Sequence, residues 1–216
     1  MDARIAVLAS GAGSNLQSLL DDAAVGASIV LVVSDNPDAF ALERARARGV
    51  RAVVLEPSHY GTRAEHDLAL EHLLEEEGAE YVLLAGYMRI LGPNVVRAFD
   101  GRVLNVHPAL LPAFPGARSV RDALDWGVAL TGATVHLVDE HVDHGPIVLQ
   151  EAVTVHEDDD ERSLHLRIQE VEHRLFPQAA RLLVEGRLRV EGRHVRVLDG
   201  RPVPAAAGVP ADGASA

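Results

Sequence analysis

The hydrophobic positions form short continuous runs that alternate with segments of helical spacing. Apolar-rich runs at 4–9, 29–33, 50–55, 81–85 and 103–106 have the length and β-branched content of buried strands. Residues 39–48 and 62–77 repeat apolar positions every three or four residues, which is typical of amphipathic helices. The alternation predicts an α/β fold, with a mostly parallel, Rossmann-like twisted sheet flanked by helices.

The pattern changes in the last third of the chain. Strands at 133–138 and 147–155 flank an acidic loop and predict an antiparallel excursion, which a long helix at 163–184 and a hairpin at 187–196 follow. Residues 203–216 are rich in Ala, Pro and Gly and have no periodicity. We therefore expect one domain over residues 1–202 and a disordered tail over 203–216.

Composition and charge exclude several classes of function. The 216 residues carry a net charge of −12, which argues against a nucleic-acid partner. All 20 basic residues are Arg, so a Schiff-base lysine, a pyridoxal-phosphate enzyme and a Walker-type lysine are excluded. Cysteine is absent, and neither a signal-peptide pattern nor an apolar stretch of membrane-spanning length is present. These features predict a cytoplasmic protein with no membrane partner.

A glycine-rich turn joins the first predicted strand to the first predicted helix. Residues 10–15 read Ser-Gly-Ala-Gly-Ser-Asn. Glycine lets the backbone approach a ligand, and the free N–H groups at a helix start attract anions. The turn lacks both the Walker lysine and the third glycine of a dinucleotide fingerprint, so a single phosphate group suits it best. The alternative is a tight strand–helix turn that binds nothing.

Asn105 and His107 lie where the fifth predicted strand gives way to a proline-rich loop. Side chains two apart on a strand share a face, so an amide and an imidazole point together from the strand end. Ligands bind at that end of open α/β sheets. The two residues are either catalytic or ordinary turn and core residues with satisfied hydrogen bonds. The apolar loop at 86–93, also at a strand end, either lines a pocket or packs in the core.

Five motifs together resemble the folate-dependent formyltransferase family, and the glycinamide ribonucleotide formyltransferases in particular. The resemblance runs from about residue 4 to residue 202. The motifs are Ser-Gly-x-Gly-Ser-Asn at 10–15, Leu-Ala-Gly-Tyr-Met-Arg-Ile-Leu at 84–91, Asn-Val-His-Pro-Ala-Leu-Leu-Pro at 105–112, Val-Asp-His-Gly-Pro-Ile at 142–147 and Glu-His-Arg-Leu-Phe-Pro at 172–177. The third motif together with Asp-x-Gly-Pro is specific to these enzymes and their hydrolase relatives, and the Gly-Ser-Asn turn narrows the resemblance to the ribonucleotide enzymes.

The resemblance implies three sets of site residues. The catalytic residues would be Asn105, His107 and Asp143. The substrate phosphate and its ribose would be bound by Gly11, Ala12, Gly13, Ser14, Asn15 and Glu172. The folate pocket would be lined by Arg63, Met88, Arg89, Ile90, Leu91, Val138, Asp139 and Glu140. The family usually has Asn at the position of Ala12 and often His at that of Arg118, so the place of Arg118 is open.

The implied activity is transfer of the formyl group of 10-formyltetrahydrofolate, a co-substrate, to the amine of 5'-phosphoribosylglycinamide in purine biosynthesis. An oxyanion develops when the amine attacks the formyl carbon, and the Asn105 amide and a protonated His107 can both donate to it. Asp143 can favour the charged form of His107 or order a water that relays the proton. The alternatives are formyltetrahydrofolate hydrolysis and a nucleotide-binding module without catalysis.

This chemistry requires no metal, and we expect none. His136, His141 and His144 lie close in sequence, but their spacing matches no standard metal site. The expected partners are therefore the two small-molecule substrates alone. The expected assembly is a monomer or a weak homodimer.

Overall fold

The computed structural model describes residues 3–198, which form a seven-stranded sheet, a two-stranded hairpin and seven α-helices. The strands are β1 (Ile5–Leu8), β2 (Ile29–Ser34), β3 (Arg51–Val54), β4 (Tyr81–Leu84), β5 (Val103–His107), β6 (Leu130–Leu137), β7 (Ile147–Thr154), β8 (Leu188–Glu191) and β9 (His194–Val197). The helices are α1 (Ser14–Asp21), α2 (Ala23–Gly26), α3 (Phe40–Ala47), α4 (Arg63–Glu76), α5 (Pro93–Ala98), α6 (Ser119–Asp125) and α7 (Glu161–Val184).

The sheet has the strand order β3-β2-β1-β4-β5-β6-β7. Strands β1 to β5 pair in parallel, whereas β6 runs antiparallel to β5 and β7 antiparallel to β6. The predicted fold class, a mostly parallel sheet with an antiparallel excursion and a long C-terminal helix, is confirmed. Central strands β1 and β4 are almost wholly buried because helices cover both faces of a parallel sheet, which explains their continuous apolar runs.

Two hydrophobic layers hold the helices to the sheet. On one face, Leu16 and Leu19 of α1 pack with Ile168 and Phe176 of α7, and all four side chains are fully buried. On the other face, α4 and α5 bury Leu70, Leu74 and Val95. The first layer positions the candidate site, because it packs the start of α1 against the middle of α7.

Helix boundaries follow capping chemistry that the apolar pattern did not reveal. Thr62 and Glu65 form a reciprocal capping box that starts α4, and Asp160 and Ser163 do the same for α7. The predicted start of α7 at residue 163 was therefore two residues late. The short helices α2 and α5 were not predicted, since four and six residues give too little periodicity to detect.

The proposed domain end at residue 202 and the tail at 203–216 lie outside the described residues. Among the helices of residues 3–198, none combines the length and apolar character needed to cross a membrane.

Candidate active site

The turn at residues 10–15 has the geometry of an anion cradle. Gly13 adopts φ +71° directly before α1, and a Cβ there would lie 2.8 Å from Ala41, so only glycine fits. The first hydrogen bond of the helix runs from the Gln17 N–H to the Gly13 carbonyl, at 2.9 Å. The N–H groups of residues 14–16 precede that bond and have no partner within the helix. These N–H groups, like that of Gly13 in the turn itself, are available to an anion.

Arg44 of α3, which the sequence reasoning missed, binds this turn. Its Nε donates to the Ala12 carbonyl at 2.8 Å, and Nη1 donates to Gln17 at 2.9 Å. Next to it lies a cleft of about 660 Å³ that is lined by Ser14, Gln17, Ser18, Asp21, Asp22, Arg44, His173, Arg174, Pro177 and Arg181. A guanidinium beside a helix N-terminus suits a phosphate.

Asn15 and Glu172, predicted to act on the same ligand, are in direct contact. The Asn15 amide donates to Glu172 Oε2 at 2.9 Å in a buried setting. The remaining oxygen of Asn15 and Nε2 of His173 are buried with no hydrogen-bond partner among the described residues. Native proteins seldom leave such atoms unpaired, so both are free to bind a ligand or a water.

His107 is buried between two oxygen acceptors at the end of β5. Its Nε2 donates to the Phe114 carbonyl at 2.8 Å, and its Nδ1 lies 3.4 Å from Oδ2 of Asp143. A neutral imidazole protonated on Nε2 can satisfy only the first acceptor, whereas an imidazolium satisfies both. The structure therefore brings Asp143 to His107, as expected.

The two residues that flank His107 are also the two non-glycine residues with positive φ in the described chain. Phe114 has φ +52° and Asp143 has φ +50°. Positive φ is uncommon for residues other than glycine and costs conformational energy. Residues in such conformations cluster at active sites and ligand-binding sites. The Gly116 N–H donates to Asp143 Oδ2 at 2.7 Å and holds the loop over the pair.

The charges of this pair follow from burial and contact. Burial lowers the pKa of His107 below its ordinary value, and Asp143 and the Phe114 carbonyl oppose that shift only in part. Burial alone would raise the pKa of Asp143, but contacts with His136, the Gly116 N–H and His107 outweigh it and lower the pKa. Asp143 is thus a carboxylate at neutral pH.

His136 completes this cluster, and the sequence reasoning did not place it there. The antiparallel register sets His136 of β6 opposite Asn105 of β5. The Asn105 amide donates to His136 Nε2 at 3.1 Å and to Asp143 Oδ1 at 3.3 Å. Nδ1 of His136 lies 2.8 Å from the Leu137 carbonyl, and in the neutral ring that donates there Nε2 accepts from Asn105. Only the charged ring also carries a proton on Nε2, which then faces Asp143 Oδ1 at 3.7 Å and lowers the pKa of that carboxyl. The side chain of His136 therefore fixes the direction of the Asn105 amide.

The loop at 86–93 contacts the phosphate turn through Ser10. The Ser10 hydroxyl donates to Asp35 at 2.5 Å and accepts from the Met88 N–H at 2.9 Å. Met88 and Ile90 are 69 % and 56 % exposed, while Leu91 is buried in the hydrophobic layer beneath them. Met88 and Ile90 can contact a ligand with their side chains, and Leu91 only supports the loop.

The other predicted folate residues lie around the same loop or on the excursion. Arg63 donates to the Ile90 carbonyl at 3.0 Å. The Val138 N–H donates to the Val103 carbonyl at 3.0 Å, and Glu140 lies 3.6 Å from Arg97. Asp139 accepts from His144 Nδ1 at 2.8 Å, and Arg89 is half-buried.

Arg118, whose place was left open, pairs with acidic groups of its own helix. Its Nη2 lies 3.8 Å from Asp122 and 4.0 Å from Asp125. The Arg118 side chain is 71 % exposed, so these are weak surface pairs and its guanidinium stays accessible to solvent.

Comparison with known proteins shows which family has this sequence and these site residues. The protein-family model described as "Formyl transferase" matches residues 3–180, which include the turn, the trio of Asn105, His107 and Asp143, and Glu172. The chain belongs to the formyl transferase family. A relative in this family, the phosphoribosylglycinamide formyltransferase of Mycobacterium tuberculosis (strain ATCC 25618 / H37Rv), is 46% identical over 193 residues, covering 88% of this chain and 89% of the relative.

Other formyl transferase relatives are much longer. The trifunctional purine biosynthetic protein adenosine-3 of Bos taurus is 44% identical over 191 residues, which are 87% of this chain and 19% of that protein. This chain thus spans about a fifth of the length of that relative. Among solved structures, glycinamide ribonucleotide transformylase 1 from Symbiobacterium toebii superposes with a TM-score of 0.89 at 49% identity, covering 91% of this chain and 94% of that one.

Proposed function

We propose that this chain transfers the formyl group of 10-formyltetrahydrofolate to the amine of 5'-phosphoribosylglycinamide, a step of purine biosynthesis. One observation carries the proposal: the Asn105, His107 and Asp143 side chains converge at the end of β5, in a chain that also has a lysine-free anion turn before α1. The names of the compact relative and of the superposed structure agree with this reaction.

In the proposed reaction, Asn105 and His107 stabilise the oxyanion that forms when the amine attacks the formyl carbon. The two hydrogen bonds of the Asn105 amide are long, at 3.1 and 3.3 Å, so a charged oxygen can compete for this donor. The formyl oxygen would take the place of the Phe114 carbonyl at His107 Nε2. Asp143 raises the pKa of His107 against the effect of burial, and it receives or relays the proton of the attacking amine. Collapse of the oxyanion then breaks the bond between the formyl carbon and the folate nitrogen, which takes up that proton and leaves as tetrahydrofolate.

The ribonucleotide would lie along the first turn of α1. Its phosphate would accept hydrogen bonds from the N–H groups of Gly13, Ser14 and Asn15, with Gly11 and Ala12 shaping the turn. Glu172 would accept a ribose hydroxyl, because its carboxylate is already oriented by Asn15. His173, with its unpaired Nε2, and Arg44 are further donors at the phosphate end.

The folate co-substrate would lie against the loop at 86–93. Met88 and Ile90 offer exposed apolar contact. Backbone groups of Arg89, Leu91, Asp139 and Glu140, and the carbonyl of Val138, would hydrogen-bond to a pterin, since the Val138 N–H already donates to Val103. Arg63 lies at the outer side of this loop and suits the negative glutamate end of a folate.

The test is formyl transfer by the 216-residue chain with and without phosphoribosylglycinamide. We expect formylated ribonucleotide to form, and its formation to fall by about 10²–10³ in Asn105→Ala and His107→Ala. Release of formate at the same rate without the acceptor would support the hydrolase alternative instead. Binding of both ligands without turnover would support the non-catalytic alternative.

The assembly and location of the protein are also proposals. A monomer or weak homodimer stays our proposal for the assembly, and sedimentation at micromolar concentration tests it. We place the protein in the cytoplasm because the sequence has no cysteine and its substrates are intracellular metabolites.

A further inference from the structure

The loop between β6 and β7 brings together three metal-ligating side chains that the proposed reaction does not need. Asp139, His141 and His144 each place a ligand atom within 4.8 Å of the other two. The sequence grouped His136 with the two histidines, but His136 is buried against Asn105 and takes no part. Its place in the cluster is taken by Asp139.

The three side chains of this cluster already contact one another. His144 Nδ1 lies 2.8 Å from Asp139 Oδ2, and His141 Nδ1 lies 4.0 Å from Asp139 Oδ1. The two imidazole rings are 5.2 Å apart between centroids. Both imidazole side chains are more than half exposed, so small rotations can bring their nitrogens to the 2.0–2.1 Å at which Zn²⁺ binds imidazole.

We propose that Asp139, His141 and His144 form a binding site for a borderline divalent cation of the Zn²⁺ class. Two imidazoles and one carboxylate are ligands that Zn²⁺ accepts, while Mg²⁺ and Ca²⁺ prefer all-oxygen sites. Three protein ligands leave a fourth position of a tetrahedral ion to water. The ion would close the loop at residues 139–144 beside Asp143, without contacting His107.

Arg193, in the turn of the C-terminal hairpin, contacts His144 and disfavours metal binding at this site. Its Nη1 lies 3.2 Å from His144 Nε2, and Nη2 donates to the His144 carbonyl at 2.8 Å. An ion on Nδ1 leaves a proton on Nε2, which then faces the guanidinium donor. Arg193 therefore lowers the affinity of the site by its charge and by this donor–donor contact.

The experiment measures Zn²⁺ binding to the untagged 216-residue chain by competition with a chromophoric chelator. We expect one ion per chain, with affinity reduced at least about tenfold in His141→Gln and in His144→Gln. Both side chains are exposed, so the fold should tolerate these changes. His165→Gln, an exposed histidine on α7, is the matched control and should bind Zn²⁺ as the wild type does.

Two further measurements use the opposing arginine and a different ion. Arg193→Gln should bind Zn²⁺ more tightly than the wild type, and Mg²⁺ should not compete at equal concentration. Unchanged Zn²⁺ affinity in His141→Gln and His144→Gln overturns the proposal. Weaker binding by Arg193→Gln overturns the assignment of Nδ1 as the ligand atom of His144.

Discussion

The side-chain amide of Asn15 donates a 2.9 Å hydrogen bond to Oε2 of Glu172, a residue 157 positions later in the chain. The contact is possible because α1 packs along α7, which sets the start of one helix against the middle of the other. Burial raises the pKa of Glu172, and the hydrogen bond from Asn15 opposes that shift only in part. The turn proposed to bind the phosphate and the carboxylate proposed to bind the ribose are therefore linked by a direct hydrogen bond.

The first prediction concerns the charge of Glu172. Glu172→Gln keeps an acceptor for Asn15 but loses the carboxylate, and hydrogen bonds to charged groups contribute about 1.5–3 kcal/mol. We expect the KM for the ribonucleotide to rise about 10- to 100-fold, with the KM for folate unchanged. Glu170→Gln, an exposed change on the same helix, is the control. Equal effects of Glu172→Gln on both substrates would contradict the assignment.

The wild type adds a pH test of the same contact. Because the pKa of Glu172 is raised, the carboxylate protonates at a higher pH than an ordinary glutamate does. Ribonucleotide binding should therefore weaken as the pH falls through that raised pKa. The Glu172→Gln variant should lack this dependence.

The second prediction compares two glycines of the phosphate turn. A Cβ on Gly11 meets no atom of residues 3–198 within 4 Å, whereas one on Gly13 meets Ala41 at 2.8 Å and would sit at φ +71°. Gly13→Ala should cost at least about 1–2 kcal/mol of stability from its left-handed backbone alone, which lowers the Tm by several degrees.

Gly11→Ala should leave the Tm unchanged. Any change in KM in this variant therefore reflects a clash between the new methyl group and the bound substrate, and not a loss of stability. We expect the KM for the ribonucleotide to rise while that for folate stays constant. A Gly11→Ala variant with wild-type KM values would show that no substrate approaches this backbone.

The sequence predicted the strands, and the shared face of Asn105 and His107 at a strand end, because those signals are local. The run before Asn105 has the length of a strand, and Pro108 marks its end. Asp143 required the family resemblance, since nothing in its own neighbourhood indicates that it reaches His107.

The missed residues all depend on pairing between distant segments. His136 contacts Asn105 because of the β5–β6 register, which the apolar pattern of β6 does not specify. Arg44 and His173 meet at the phosphate turn only after α3 and α7 have packed on the same face of the sheet. An unpaired buried nitrogen such as Nε2 of His173 can be recognised only in three dimensions.

The third prediction tests His136 as a positioning residue. His136→Leu removes the acceptor that orients the Asn105 amide and keeps an apolar side chain of similar size in its buried place. Misplacement of a catalytic group by about 1 Å can cost 10²-fold, so we expect kcat to fall about 10- to 100-fold with little change in either KM. His136→Gln retains an acceptor and should recover part of kcat. If the role of His136 were purely structural, both variants would have a lower Tm, and their kcat values would not differ from each other.

The last prediction concerns the charge that Asp143 supplies to His107. Asp143→Asn keeps the shape and tolerates positive φ, but it removes the carboxylate that lies 3.4 Å from His107 Nδ1. Asp143 raises the pKa of His107 against the effect of burial, so the substitution should lower that pKa further. If the imidazolium is the active form, kcat falls as the pH rises through the His107 pKa. In Asp143→Asn this fall should begin at a lower pH, and kcat near pH 7 should be reduced.

The measurement is kcat across about pH 5–8, where histidine titrates, beside an NMR titration of the His107 ring in each protein. Asp125→Asn, an exposed acidic residue at the end of α6, is the control and should leave both curves in place. The two curves should move together in Asp143→Asn because one proton governs both. A reduced kcat with an unmoved His107 pKa would mean that Asp143 acts on the amine proton alone. A His107→Ala variant that keeps near-normal kcat would exclude the imidazolium from the reaction altogether.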